Sequence, residues 1–180
     1  MEQYRRSPRA FFLNYQEGDY FVTICTKDKL HYFGKIYDGE MHLSAIGKFA
    51  YEQLSLTNHF NNNFENLAFV VMPNHIHAIF RICGSDNSEA EPTTDKESYL
   101  RNPDPYYRGS EEISRRVSLL SRYVSSFKGA VTKFAKNNNI EFAWQKRYHD
   151  HLIRNNHDGN NIVRYILNNV AKWEEDRFNR

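Results

Sequence analysis

The chain has 180 residues, 40% of them hydrophobic and 15% aromatic, which suits one compact domain over residues 1–180 with a buried core. Cys25 and Cys83 lack the spacing of a metal site or a disulfide framework, no apolar run reaches membrane-spanning length, and the first residues lack the apolar segment of a signal peptide. These features argue against a disulfide-rich secreted scaffold and a membrane protein, and we expect a cytoplasmic protein.

The charge is unevenly distributed along the chain. Residues 83–112 carry eight acidic and three basic side chains, so with a total of +2 the rest of the chain carries +7. A basic body suits a polyanionic partner such as nucleic acid, although an ordinary solvated surface explains the charge equally well.

The first half of the chain predicts a strand and a helix. Residues 20–26 are rich in β-branched and aromatic side chains, which favours a strand. Ser44 is a good N-cap, and a helix is indicated by the apolar residues that follow at helical spacing, namely Ile46, Phe49, Ala50 and Leu54.

A hairpin and an irregular segment follow. Residues 66–72 and 75–82 predict two strands, and Pro73 with Asn74 marks the turn between them. Residues 83–112 are polar, acidic and without periodicity, which predicts a flexible insertion.

A long amphipathic helix is predicted next. Apolar residues recur at alternating spacings of four and three from Ile113 to Phe134, which is typical of packing against a core, and Asn137 begins the segment that ends the helix. The other faces of this helix are basic, with Arg115, Arg116, Arg122, Lys128, Lys133 and Lys136.

Residues 148–153 predict a last strand, and Asp158 is expected to cap a final helix that runs to about Trp173. The first six elements have the order strand, helix, strand, strand, helix, strand. This order matches an α+β, ferredoxin-like split βαβ fold, with an antiparallel sheet and helices on one face. The extra C-terminal helix is then free to carry chemistry.

His75 and His77 flank Ile76 within a predicted strand, so both imidazoles should lie on one face of the sheet. Two neighbouring imidazoles form half of a divalent metal site, which an oxygen ligand such as an Asn amide would complete. A structural role is the alternative. His149 and His151 share a strand face in the same way. The alternatives for them are a second metal site, a DNA contact and a plain edge-strand feature, and we favour a DNA contact or support of the site.

Tyr165 and Asn169 are spaced i, i+4 on the final helix and therefore share a face. Tyr165 lies about 100° around the helix from Ile166, which belongs to the apolar stripe. It is therefore more available than a core tyrosine, although packing alone would also explain it. Together with the histidines it suggests a metal-assisted attack by a tyrosine on a phosphodiester.

Several short motifs, in their order along the chain, resemble those of the single-tyrosine, His-hydrophobic-His transposases. They resemble most closely the motifs of the REP-associated tyrosine transposases. The motifs are residues 20–26 (YFVTICT), 33–34 (FG), 43–47 (LSAIG), 71–77 (VMPNHIH), 126–128 (SFK), 144–145 (WQ), 148–154 (YHDHLIR), 165–169 (YILNN) and 172–173 (KW). The family usually has Pro after the last Asn, where this chain has Val170.

The resemblance implies specific roles. His75, His77 and Asn169 would bind a divalent metal, Mg²⁺ or Mn²⁺, and Tyr165 would be the nucleophile that forms a transient 5′-phosphotyrosine. The partner would be single-stranded or hairpin DNA. Both a monomer and a homodimer occur among such proteins, and a domesticated, non-mobile relative that binds or processes palindromes is the alternative to an active transposase.

The basic side chains are the expected DNA contacts. A flexible N-terminal arm could follow a groove, whereas the helix residues could equally form a solvated face. The predicted contacts are Arg5, Arg6, Arg9, Arg115, Arg116, Arg122, Lys128 and Lys172.

Overall fold

The computed structural model describes residues 17–57, 62–83 and 119–179. Within these ranges the strands are β1 (Gly18–Thr26), β2 (Gly34–Tyr37), β3 (Glu40–Leu43), β4 (Phe64–Val71), β5 (His75–Ile82) and β6 (Trp144–Ile153). The α-helices are α1 (Ala45–Ser55), α2 (Leu119–Asn137) and α3 (Asn156–Asn168).

Four strands form one antiparallel sheet in the order β4-β5-β1-β6. With α1 between β1 and β4 and α2 between β5 and β6, this is the predicted ferredoxin-like arrangement. β2 and β3 form a separate two-stranded hairpin between β1 and α1, which the sequence did not predict. These strands have four residues each, so neither is long enough for a clear alternation of apolar and polar side chains.

The main core lies between one face of the sheet and the helices α1 and α2. Alternate residues of β1 and β5 point into it, and α2 covers them with the apolar stripe that the sequence predicts. The buried residues of these elements include Tyr20, Val22, Ile24, Ile76, Ala78, Phe80, Leu120, Val124, Phe127 and Val131. Ser44 caps α1 as expected, because its side chain accepts a hydrogen bond from Gly47 N (3.1 Å).

The C-terminal elements differ from the prediction in their boundaries. β6 begins at Trp144 rather than residue 148. Asn155, not Asp158, is the N-cap of α3, because its amide oxygen accepts from Asp158 N (2.8 Å). α3 ends at Asn168 rather than near Trp173, and the chain turns into a 3₁₀-helix at Trp173–Glu175. Because the chain turns there, Trp173 is buried beside His75 instead of lying on a longer helix.

Several predictions fall outside the described residues. They are the N-terminal Arg5, Arg6 and Arg9, the helix residues Arg115 and Arg116, the start of the long helix, and nearly all of the predicted insertion at 83–112. Among the described residues, no helix combines the length and apolar character needed to cross a bilayer.

Candidate active site

His75 and His77 lie on the face of the sheet that is turned away from α1 and α2. Antiparallel pairing places Cys25 beside His75 and Thr23 beside His77, so these side chains form a row on that face. Both imidazoles are almost fully buried, and their ring centroids are 4.5 Å apart. The alternation of β5 therefore does bring the histidines together, as the sequence predicts.

Each imidazole has a side-chain partner at Nδ1. Thr23 Oγ1 is 2.9 Å from His77 Nδ1, and Asn74 Oδ1 is 2.8 Å from His75 Nδ1. Such contacts at Nδ1 orient the ring and leave Nε2 for a different partner. His77 Nε2 lies 3.2 Å from the Tyr165 hydroxyl, whereas His75 Nε2 is buried and has no hydrogen-bond partner among the described residues.

Asn169 completes the arrangement from the end of α3. It keeps helical dihedral angles (φ −63°, ψ −42°), so it stays on the same face as Tyr165 although the helix ends one residue earlier. Its side chain is 3% exposed, and its Oδ1 has no hydrogen-bond partner within the described part of the chain. An unsatisfied buried polar atom costs about 1–3 kcal/mol.

The donor atoms suit a divalent cation. His75 Nε2 and Asn169 Oδ1 are both buried acceptors without a hydrogen-bond partner among the described residues, and atoms of these two types can bind a cation. Across residues 17–57, 62–83 and 119–179, no group of three or more His, Cys, Asp or Glu side chains could hold a metal. Within these ranges, the candidate third ligand beside the two histidines is a neutral oxygen, the Asn169 amide.

The electrostatics favour neutral ligands. Burial, assisted by the neighbouring His77 and by Arg177, lowers the pKa of His75 to about 2. Burial and Arg177 lower the pKa of His77 to about 3. Both rings are therefore neutral at pH 7 and keep a lone pair for a ligand.

Tyr165 stands between the histidines and solvent. Its side chain is 41% exposed, its ring lies 5.2 Å from that of His77, and Phe21 contacts both rings. Burial raises the pKa of Tyr165, although a hydrogen bond with Asn169 opposes the increase. The phenol is thus protonated at neutral pH and can donate to His77 Nε2.

A cavity of about 670 Å³ opens in front of Tyr165. Three exposed cations, Arg164, Lys172 and Arg177, line it together with Asn161, Asn168 and the carboxylates of Glu175 and Asp176. Of the cations, only Lys172 was predicted. Arg164 directly precedes Tyr165 and could have been found from the sequence, whereas Arg177 reaches the cavity only because the chain turns after α3.

The C-terminal residues close the other side of the site. The Phe178 ring lies 4.4 Å from the His75 ring, and the Trp173 ring lies 6.2 Å from it. Both aromatic residues are buried with Cys25 and Met72 in a small second core. This cover shields His75 from solvent and contributes to its lowered pKa.

The basic residues of α2 lie in the helical layer on the opposite side of the sheet. Arg122 is exposed there, and Lys128 donates to the Gln145 carbonyl (2.7 Å) and lies over the Trp144 ring. The structure therefore does not bring Arg122 or Lys128 to Tyr165.

The second pair of histidines lies on the site face of the edge strand β6. His149 is exposed and pairs with Thr23, and His151 forms a 3.1 Å contact with Asp158. Tyr148 pairs with Ile24 on the opposite, core face of the sheet.

Two comparisons with known proteins found matches, one in sequence and one in fold. No protein-family model matches the chain. A protein of Haemophilus influenzae described as uncharacterized is 32% identical over 177 residues, which is 97% of this chain and 93% of that protein. A solved structure of a REP-associated tyrosine transposase bound to a REP hairpin is 20% identical, has a TM-score of 0.51, and is matched over 96% of this chain and 74% of its own. The α+β fold is therefore transposase-like.

Proposed function

The chain belongs to the same family as the Haemophilus influenzae protein, and from its transposase-like fold and its histidine–tyrosine site we propose that it is a divalent-metal-dependent enzyme that cleaves and rejoins single-stranded DNA. One observation carries the proposal. The Tyr165 hydroxyl lies 3.2 Å from His77 Nε2, and His75 Nε2 and Asn169 Oδ1 are buried nearby with no hydrogen-bond partner among the residues that the structure describes.

Tyr165 would act as the nucleophile. Its phenol oxygen attacks the phosphorus, the bond from phosphorus to the 3′ oxygen breaks, and a 5′-phosphotyrosine forms. The released 3′ oxygen takes up a proton and becomes a free hydroxyl, and the phenol proton passes to solvent in the open cavity. Because one phosphoester bond replaces another, a 3′ hydroxyl can reverse the reaction, and no nucleotide cofactor is needed.

His75, His77 and Asn169 would hold the metal. A bound Mg²⁺ or Mn²⁺ would polarise the phosphodiester and stabilise its developing charge. The neutral Nε2 of an imidazole has one lone pair. While the lone pair of His77 Nε2 binds a metal, it cannot accept a hydrogen bond from Tyr165. The phenol would then be free to turn toward a phosphate.

The cations around the cavity would hold the DNA strand. Arg164, Lys172 and Arg177 can neutralise phosphates on either side of the scissile bond. Since the similar transposase structure contains a REP hairpin, we propose hairpin or palindromic single strands as substrates. We propose that Tyr165 serves the site of its own chain, because its hydroxyl lies 3.2 Å from His77 Nε2 of that chain. Cleavage and joining of this kind serve both a mobile transposase and a domesticated, non-mobile relative.

The test uses hairpin oligonucleotides with a single-stranded flank, labelled at either end and incubated with Mg²⁺ or Mn²⁺. On a denaturing gel, the 3′-labelled fragment should migrate with the protein, and the 5′-labelled fragment should carry an extendable 3′ hydroxyl. The Tyr165→Phe variant should give no adduct. Tyr51→Phe, which removes the hydroxyl of a similarly exposed tyrosine on α1, should behave like the parent. An undiminished adduct with Tyr165→Phe, or an adduct that retains the 5′ label, would contradict the proposal.

A further inference from the structure

Asn74 lies at the turn between β4 and β5, and it is neither a proposed metal ligand nor the nucleophile. Yet its side chain is fully buried beside the site. Its Nδ2 donates to the carbonyl oxygens of Phe178 (2.7 Å) and Lys29 (3.1 Å). Its Oδ1 lies 2.8 Å from His75 Nδ1. One amide thus joins three separate parts of the chain.

These contacts determine the orientation of the Asn74 amide. Backbone carbonyl oxygens only accept hydrogen bonds, so the NH₂ group must face Phe178 and Lys29, and the amide oxygen must face His75. An amide oxygen also only accepts, so His75 Nδ1 must carry the proton. A neutral imidazole carries one proton, and the lone pair is therefore on His75 Nε2, a buried atom with no hydrogen-bond partner within residues 17–57, 62–83 and 119–179.

The backbone of Asn74 is held as well. Its carbonyl oxygen accepts hydrogen bonds from Thr26 N (2.9 Å) and from Thr26 Oγ1 (3.0 Å). The backbone at Asn74 is therefore held against β1, and the side-chain amide cannot rotate away without breaking its bonds to the Phe178 and Lys29 carbonyls. The same C-terminal residues place the Phe178 ring against His75.

We propose that Asn74 is a positioning residue, which holds His75 in the Nδ1–H tautomer so that its Nε2 lone pair faces the site, and which links this tautomer to the anchoring of the C-terminal segment. The use of that lone pair by a metal rests on the proposed function, whereas the tautomer itself does not.

The first test is the tautomer of the metal-free, full-length protein, measured by long-range ¹H–¹⁵N NMR with ¹⁵N-labelled histidine. We expect the Nδ1–H form for His75. In Asn74→Ala we expect a mixture or the Nε2–H form, with Mn²⁺ affinity reduced about 10- to 100-fold by calorimetry. If the parent protein shows the Nε2–H form, the assignment is wrong even if no variant folds.

Two variants separate the amide from other effects. Asn66→Ala removes an amide of β4 that donates to the Leu54 carbonyl, and it should change neither tautomer nor Mn²⁺ affinity. Phe178→Ala removes the ring but keeps the backbone carbonyl, so the Nδ1–H tautomer should persist. A changed tautomer in Phe178→Ala, or an unchanged one in Asn74→Ala, would overturn the role of Asn74. A parent protein with the Nδ1–H form that binds no Mn²⁺ would instead contradict the proposed function and leave this assignment standing.

Discussion

At the scale of single residues, the site depends on atoms that lack hydrogen-bond donors in a buried place. In the described part of the chain, His75 Nε2 and Asn169 Oδ1 have no hydrogen-bond partner, and His77 Nε2 contacts the phenol of Tyr165. This arrangement is unfavourable for a purely structural histidine pair, because unsatisfied buried acceptors cost stability. It is favourable for a site that takes up a cation, and the two residue-scale predictions follow from it.

The Tyr165→Phe variant should bind Mn²⁺ at least as tightly as the parent while it loses adduct formation. The phenol oxygen lies 3.2 Å from His77 Nε2, so its removal takes away a competing contact of that nitrogen and little packing area. Isothermal titration of the two proteins with Mn²⁺ measures this. A clearly weaker affinity in Tyr165→Phe would mean that the phenol itself helps to bind the metal.

The metal-free protein should lose stability as the pH falls below about 6.5. The pKa of His75 is about 2 in the folded protein, so between these values the unfolded chain binds a proton that the folded chain excludes. At pH above 6.5 both states are neutral and the effect vanishes. Each such histidine should lower the free energy of unfolding by on the order of 1 kcal/mol per pH unit.

Urea unfolding in EDTA at several values between pH 7.5 and pH 5 tests this dependence. His75→Gln should show a shallower loss than the parent, and His157→Gln, which changes an exposed ring on α3, should keep the slope of the parent. Identical slopes in all three proteins would show that His75 becomes protonated within the fold.

At the scale of elements, the sheet divides two sets of basic residues. α3 and the turn after it carry Arg164, Lys172 and Arg177 to the cavity, whereas α2 carries Arg122 and Lys133 in the layer on the opposite side of the sheet. Both sets are exposed, so charge alone does not distinguish them. The two sets differ in their position relative to Tyr165.

Replacing Lys172 and Arg177 together by Gln should weaken binding of single-stranded DNA and reduce adduct formation. Each lost phosphate contact should reduce the slope of log affinity against log salt by about 0.7. The matched pair Arg122→Gln and Lys133→Gln removes the same charge from α2 and should leave the adduct yield per bound DNA unchanged. Salt titrations by fluorescence anisotropy, with adduct gels, compare them. Equal effects of the two pairs on adduct yield would place the scissile phosphate elsewhere.

At the scale of the whole molecule, the two faces of the sheet have separate tasks. One face, with α1 and α2, buries most of the apolar residues. The other carries the histidines, with Trp173 and Phe178 packed around them in a smaller cluster. The fold should therefore not need the metal, unlike small domains in which metal binding drives folding.

EDTA should abolish adduct formation while the far-UV circular dichroism spectrum stays unchanged, and added Mn²⁺ should restore the activity. Mn²⁺ should also raise the melting temperature of the parent, because a ligand that binds only the folded state stabilises it. The His75→Gln/His77→Gln variant, as the control, should show no such increase. Loss of the folded spectrum in EDTA would indicate a structural metal instead.

The sequence by itself determined the features that depend on local geometry. Alternation along β5 places His75 and His77 on one face, and helical spacing places Tyr165 and Asn169 together, because the chain repeats every two residues in a strand and every 3.6 in a helix. The order of elements and their apolar patterns likewise predicted the ferredoxin-like sheet.

Tertiary structure alone decided which of these pieces meet. Thr23 and His77 are 54 positions apart, Tyr165 and His77 are 88 apart, and Asn74 and the Phe178 carbonyl are 104 apart. No local repeat encodes such contacts, since they arise from strand register and from the turn that ends α3. That turn, which the sequence failed to predict, follows from the burial of Trp173 and Phe178 against His75 rather than from the helix propensity of the residues before it.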